Sequence, residues 1–224
     1  MKIRNHLTYT SASWLITILV PPLLLVTSIL LLLNPLFLNL EYRRPGFPAD
    51  PYGFTLDERL KYARVSVAYL VNQQPIDYLA DQQLSDGTPL YNERELSHML
   101  DVKAVVQGAL RWWLAGLALV GGLTFWAYRA GWKNAYWRGL ARGGYLTVGI
   151  IAFFLVYLAV NFDSLFTRFH TLFFESGSWV FLYTDSLIRL FPLPFWQDCF
   201  IVVGAFCLVG GGLLAWQGHR RSRS

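Results

Sequence analysis

At 224 residues the chain is long enough for one or two soluble domains, but 54% hydrophobic and only 15% charged residues exclude a soluble globular protein and place it in a membrane. The formal net charge of +5 does not mark a nucleic-acid partner, because the basic residues that produce it gather in three short segments free of Asp and Glu. Cys199 and Cys207 share one apolar stretch and would lie roughly 12 Å apart along a helix, so they cannot pair with each other and are expected as small buried apolar residues.

No charge occurs between Arg4 and Glu41, and Trp14 to Leu33 alone reaches the roughly 20 residues needed to cross the hydrocarbon core. This first span is longer than the apolar region of a signal peptide and has no small-x-small cleavage site before Glu41, so it is expected to be retained, with a kink at Pro21 and Pro22. Glu41 to Lys103 is the one long polar region. Pro45, Pro48, Pro51 and Pro75 interrupt it, but Leu60, Ala63, Arg64, Val67, Ala68 and Val71 recur at helical spacing, which predicts a small helical cap. A turn at Ser85-Asp86-Gly87 follows. Asn92 can then cap the next helix, with Glu95 at the position a capping box uses.

No proline or turn signal occurs from there to Gly108, which predicts one unbroken helix from Glu93 to Tyr128, about 54 Å long at 1.5 Å per residue. That exceeds the roughly 30 Å hydrocarbon core, so its first turns stand above the membrane. Charge-free stretches at Trp112 to Tyr128, Gly143 to Phe162 and Cys199 to His219 complete a set of four spans. Trp179 to Phe191 is also apolar, but it is only about 13 residues long and carries Asp185 and Arg189, which suits an interfacial helix. The glycine groups Gly121-Gly122, Gly143-Gly144 and Gly210 to Gly212 allow close helix approach.

The acid-free basic segments are Lys2 with Arg4, Arg129 to Arg142, and Arg220 to Arg223. The positive-inside rule places all three in the cytoplasm, which requires an even number of spans and puts every Asp and Glu outside. The expected fold is all-α and polytopic: four transmembrane helices, a small helical extracytoplasmic cap and an interfacial aromatic loop. The predicted partition is 1–40 (cytoplasmic N-terminus and first helix), 41–103 (cap), 104–128 (second), 129–142 (basic cytoplasmic loop), 143–162 (third), 163–198 (interfacial loop) and 199–224 (fourth helix and cytoplasmic tail). The interfacial loop is rich in Phe166, Phe169, Phe173, Phe174, Trp179, Phe181 and Phe191, whose rings favour the membrane boundary.

His6 and His219 flank spans and read as solvated. His98 and His170 both fall near the outer membrane surface. In ELSHMLDVK, the spacing of Glu95, His98 and Asp101 makes adjacent pairs helical neighbours, so a carboxylate there can fix the imidazole tautomer and raise its basicity, as a general base needs. The same stripe is equally a charged helix face. Lys103 and Arg111 follow on that helix, and Arg111 and Arg168 either snorkel to phosphate or serve a site. Glu-x-x-His with His170 and Glu175 leaves a metal-dependent enzyme as an alternative, although only one copy of the pattern is present. A non-catalytic protein that binds lipid or a partner through the aromatic loop is the other. No nucleophile elbow or glycine-rich phosphate loop occurs.

ELSHMLDVK at Glu95 to Lys103, FHTLFF at Phe169 to Phe174, Trp179, and LIRLFPLPFWQD at Leu187 to Asp198 together resemble a bacterial family of small four-span membrane proteins that includes the lipoprotein intramolecular transacylase. The match is best from about Tyr91 to Asp198. The proline-rich stretch from Glu41 to Gly53 carries no recognisable motif. The resemblance implies a bacterial cytoplasmic-membrane acyltransferase, with diacylglyceryl-modified lipoproteins and membrane lipid as partners, no nucleic acid, no cofactor and no metal. It would move the sn-2 acyl chain of the lipoprotein onto the α-amino group of its N-terminal cysteine.

On that basis His98 and His170 are expected as base and acid, in either order, with Glu95 or Asp101 orienting His98. Lys103 or the indole N–H of Trp179 is expected to stabilise the oxyanion. Arg111, Arg168, Phe173, Trp179 and Trp196 are expected to bind substrate.

Overall fold

The computed structural model describes the backbone of residues 2–175 and 177–223, with side chains from Leu7 onward within these, so the side chains of Lys2, Arg4 and His6 lie outside what is described. Among the described residues the chain is all-α. Its helices are α1 (Lys2–Leu32), α2 (Pro35–Arg43), α3 (Leu56–Val71), α4 (Asp77–Ala80), α5 (Glu93–Arg129), α6 (Lys133–Val160), α7 (Phe162–Phe173), α8 (Ser186–Leu190) and α9 (Leu193–Arg221). Four of them, α1, α5, α6 and α9, are long and apolar enough to cross a membrane. The chain forms two compact units. One comprises residues 1–29, 110–160 and 201–224, the other 30–109 and 161–200.

The first unit holds most of the apolar helix length. Its buried cluster joins Ile16 and Val20 of α1, Leu123 and Ala127 of α5, and Tyr136 and Leu140 of α6, with Trp132 between the last two helices. Close approach depends on small residues. A Cβ on Gly139 would meet the Ser13 carbonyl oxygen at 2.5 Å, and one on Gly144 would fall on backbone atoms of Gly211 and Ala215 of α9. Gly121, Gly122 and Gly212 face open space, so only part of the expected glycine contacts are made. Among the described residues Arg142 has no ion pair. It donates to Ser13 Oγ (2.8 Å) and Thr17 Oγ1 (3.2 Å) and lies over the Trp14 ring at 4.1 Å. Ser13 Oγ in turn donates to the Ala135 carbonyl (2.5 Å), and the Thr17 hydroxyl is shared between the carbonyls of Ser13 (3.0 Å) and Gly139 (3.2 Å). Leu114, Phe125, Phe153, Val156, Val160 and Val209 stay largely exposed. Such contiguous apolar surface is costly in water and is accepted by lipid.

The second unit is built from short capped helices. Asn34 accepts from the amides of Leu36 and Phe37, with Pro35 at the first helical position, so the apolar run breaks after α1 and restarts as α2. Thr55 and Glu58 form a capping box on α3. Gly87 (φ +84°) makes the expected turn, with Thr88 donating to Asp86. One buried cluster joins Tyr62 and Tyr69 of α3, Leu79 of α4, Tyr91, Met99 of α5, and Leu187 and Leu190 of α8; another joins Leu38 and Tyr42 of α2 to Leu60, Ala63 and Val67 of α3 and Phe195 of α9. Asp50, with its side chain buried, pairs with Arg189 of α8 (2.9 Å), whose guanidinium lies over Phe54 at 3.6 Å.

The expected interfacial helix at 179–191 is corrected. Only α8 is helical there, and the long helix of the loop is α7. Asn161 caps α7 by accepting from Ser164 N, and Phe162, Leu165, Phe166, Phe169 and Phe173 lie along it at helical spacing, whereas Gly177 at φ +87° and Pro192 break the later stretch. α5 runs unbroken as predicted. Cys199 and Cys207 are unpaired, Cys207 being buried against Ser28 Oγ at 3.3 Å.

Candidate active site

His98 and His170 come together in the second unit. Their ring centroids are 6.4 Å apart and their planes 21° from parallel. His98 projects from the buried stripe of α5 that also carries Glu95 and Met99, and His170 from the last turn of α7. Both are almost enclosed, at 9% and 8% exposure, and among the described residues neither is in an ion pair.

The enclosure is aromatic. The edges of Phe174 (4.9 Å) and Phe181 (5.3 Å) meet His98, while His170 contacts Phe166 (4.0 Å), Trp179 (4.8 Å), Phe169 (5.5 Å) and Phe174 (5.7 Å). Phe174 touches both rings. Removing water from these rings disfavours their charged forms. Burial pushes the His98 imidazole down to about 4, and a positive charge on His170 would push it further in the same direction. Burial likewise holds His170 below the ordinary histidine range, opposed by one hydrogen bond to the Phe166 carbonyl.

That bond fixes the chemistry of His170. Its Nδ1 lies 2.8 Å from the Phe166 carbonyl oxygen, which can only accept, so Nδ1 carries the proton and Nε2 carries a lone pair. Among the described residues two further polar atoms beside it are buried without a hydrogen-bond partner: Nδ1 of His98 and Nε1–H of Trp179. An orphaned buried polar atom costs about 1–3 kcal/mol, and a bound substrate with acceptor and donor atoms relieves that cost.

The carboxylates are placed differently from expectation. Glu95, 1% exposed, accepts from the backbone N–H of Asn92 (2.8 Å) and of Leu187 (2.7 Å), so it closes the capping box on α5 and anchors α8 without bonding to His98. Asp101 is exposed, and no hydrogen bond joins it to His98. A neighbouring carboxylate, Asp185, ties the aromatic loop down. It accepts from Arg94 (2.7 Å), Asn92 (3.2 Å) and the amide of Leu182 (2.8 Å). Lys103 is engaged elsewhere, donating to Gln74 O (2.6 Å) and Asn72 Oδ1 (3.3 Å) and lying 3.8 Å over the Tyr69 ring.

Trp179 joins the site. Phe173 reaches it through Phe169 (5.1 Å), and Trp196 packs on Phe166 at 6.2 Å. Arg168 is exposed and meets Ser164 Oγ at 3.4 Å, while Arg111 is exposed and belongs to the other unit. Among the described residues no three His, Cys, Asp or Glu side chains converge as a metal-ligand set.

The Phe166 carbonyl is invisible as a partner in the sequence, since any residue supplies one. Nor does the sequence signal that Glu41 to Gly53 feeds the same unit, where Arg44 bridges Glu41 (2.9 Å) and Asp198, and Asp50 holds Arg189.

A protein of Aquifex aeolicus (strain VF5) described as uncharacterized is 27% identical over 214 residues, 92% of each chain. The structure of the membrane integral lipoprotein intramolecular transacylase Lit from Bacillus cereus superposes with a TM-score of 0.79 over 96% of this chain and 95% of that one, at 20% identity. The same Bacillus cereus protein with one histidine changed to arginine superposes with a TM-score of 0.69, over 98% of this chain and 96% of that one, also at 20% identity. At that identity the likeness establishes the four-helix membrane fold. The family model of lipoprotein intramolecular transacylase Lit matches residues 14–196, most of the sequence, and the chain belongs to that family of integral membrane transacylases.

Proposed function

We propose that this chain moves the sn-2 acyl group of a diacylglyceryl-cysteine lipoprotein onto the α-amino group of the same cysteine, in a bacterial cytoplasmic membrane, with the histidine pair toward the outer face and both termini in the cytoplasm. The observation that carries the residue assignment is the His170 Nδ1 contact with the Phe166 carbonyl, which leaves Nε2 of a buried neutral imidazole as the base. The orientation rests on acid-free basic segments at the chain ends and between α5 and α6.

An α-amino group has a pKa near 8, so about a tenth is neutral at pH 7 and can attack the ester carbonyl unaided. As the C–N bond forms, His170 Nε2 takes one proton from the nitrogen. It returns that proton to the glycerol oxygen as the C–O bond breaks, giving an amide and a free hydroxyl with no net proton uptake. Charge develops on the carbonyl oxygen in between. The unpartnered Trp179 Nε1–H is placed to donate to it, and Lys103 is displaced from that role by its bonds to Gln74 and Asn72. His98, whose Nδ1 has no hydrogen-bond partner among the described residues, would meet the leaving oxygen through a ring N–H. Glu95 acts as a positioning residue, holding α8 against α5. Phe173 and Trp196 extend the aromatic wall along which acyl chains remain in hydrocarbon during transfer.

The test is mass spectrometry of the N-terminal lipopeptide of a reporter lipoprotein, in a host lacking N-acylation, with the wild-type chain and with His98→Ala or His170→Ala. Migration of one acyl chain from glycerol to the amine at unchanged total mass, abolished by His170→Ala, is expected. A free amine in the presence of folded wild-type protein refutes the reading.

A further inference from the structure

Arg59, in the first turn of α3, is 3% exposed and has no carboxylate within ion-pair distance among the described residues. Buried cations are ordinarily paired. Its Nη1 donates to the Pro48 carbonyl (2.7 Å), its Nε is buried without an acceptor, and its guanidinium lies 5.2 Å from the Tyr42 ring and 5.0 Å from the Phe47 ring. The nearby polar groups are already engaged. The Tyr42 hydroxyl donates to Leu190 O (2.5 Å), and Asp50 is held by Arg189 (2.9 Å) and the Phe54 amide (2.7 Å).

Arg59 instead lines a cavity of about 190 Å3 shared with Asp50, Tyr52, Tyr183, Arg189 and Pro192, all in the second unit. Two guanidiniums and one carboxylate leave the cavity with one uncompensated positive charge. We propose that it is an oxyanion site that holds the phosphate of a lipid headgroup, with Arg59 as its main donor.

A monoanionic phosphate diester supplies both the missing charge and the acceptors that a planar guanidinium engages best. Depth favours a lipid as its source. Pro192 immediately precedes α9, and the charge-free run of that helix begins at Cys199, about 10 Å further along the axis. That places the cavity at the level of the headgroups bordering a hydrocarbon core about 30 Å thick. The inference is independent of the acyl-transfer reading, because the glyceryl group of the proposed substrate carries no phosphate.

The full chain, purified in a maltoside detergent, is unfolded thermally with added phosphatidylglycerol, diacylglycerol or inorganic phosphate. Phosphatidylglycerol is expected to raise Tm by about 3 °C and diacylglycerol to do nothing. The shift is expected to vanish in Arg59→Gln and to persist in Arg138→Gln, which removes a cation of the other unit. Ala49→Trp blocks the cavity from an exposed position with Arg59 intact, so it decides the matter if Arg59→Gln does not fold. An Arg59-dependent shift from inorganic phosphate alone keeps the oxyanion site and overturns the lipid source. A shift that survives both Arg59→Gln and Ala49→Trp, or no shift in the wild type, overturns the proposal.

Discussion

Lowering the pH from 7 to 5 tests whether the histidines work as neutral bases. The attacking amine, with a pKa near 8, loses its neutral form about 90-fold over that interval. A base with an ordinary histidine pKa of about 6.5 would lose a further 25-fold, for a combined fall of about 2,000-fold in kcat/KM. Here burial holds His98 down at about 4 and keeps His170 below its ordinary range, so the neutral imidazoles persist as the solution acidifies. kcat/KM is therefore expected to fall by clearly less than about 2,000-fold, toward the roughly 90-fold set by the amine, with no second unit of slope setting in near pH 6.5. The assay follows acyl migration in a synthetic diacylglyceryl-cysteine peptide in mixed micelles by liquid chromatography and mass spectrometry, with the uncatalysed migration subtracted and helicity checked at each pH. A second unit of slope setting in near pH 6.5 would refute the argument. The same depression carries a stability sign. Unfolded His98 takes up a proton below about 6.5 that folded His98 refuses until about 4, so stability drops progressively as pH falls through that window.

Trp179→Phe keeps the ring against His170 and deletes the indole donor, so kcat is expected to drop about 10²- to 10³-fold with KM little changed in steady-state assays. Glu95→Ala orphans the buried amide of Leu187 and opens the cap at Asn92, at a cost of about 2–4 kcal/mol that thermal unfolding in detergent will report. Gly144→Leu drives a side chain into the backbone of Gly211 and Ala215, where no rotamer relieves the clash; loss of the folded, monodisperse species on size-exclusion chromatography is expected.

The four long helices were legible because charge-free runs of some 20 residues have few alternatives, and α5 was legible to its start because Asn92 and Glu95 announce a capping box. The break between α1 and α2 was also written in the sequence, as an asparagine followed by proline, but an apolar run on both sides masked it. α7 was missed for a similar reason. Its aromatic spacing is helical, yet the same rings also suit an irregular interfacial loop. The pairing of His98 with His170 followed from their shared depth and from the resemblance, not from spacing, since 72 residues separate them. What could not be read was which partner each polar atom takes. Glu95 is one helical turn from His98 and yet bonds an amide 92 positions away, because α8 packs on that face of α5 and its first amides need acceptors.

That reassignment of Glu95 changes the physical account of the base. A carboxylate bonded to an imidazole stabilises its protonated form and raises its pKa, which in a closed aromatic site would leave an ion pair to be desolvated alongside two acyl chains. Starting from the neutral amine, the transfer proposed here neither consumes nor releases a proton, so its catalyst gains nothing from being charged at rest. A backbone carbonyl on Nδ1 orients His170 without that penalty, and the Phe, Trp and His98 rings around it add none. Introducing a carboxylate is therefore expected to harm the reaction by over-stabilising the imidazolium. In Phe174→Asp, the residue that touches both rings, the imidazole proton resonances in NMR would titrate at higher pH than in the wild type. The acid limb of kcat/KM would steepen to two units of slope below the new pKa. An unchanged profile in a folded Phe174→Asp protein would mean that neutrality of the pair is not what the aromatic sleeve provides.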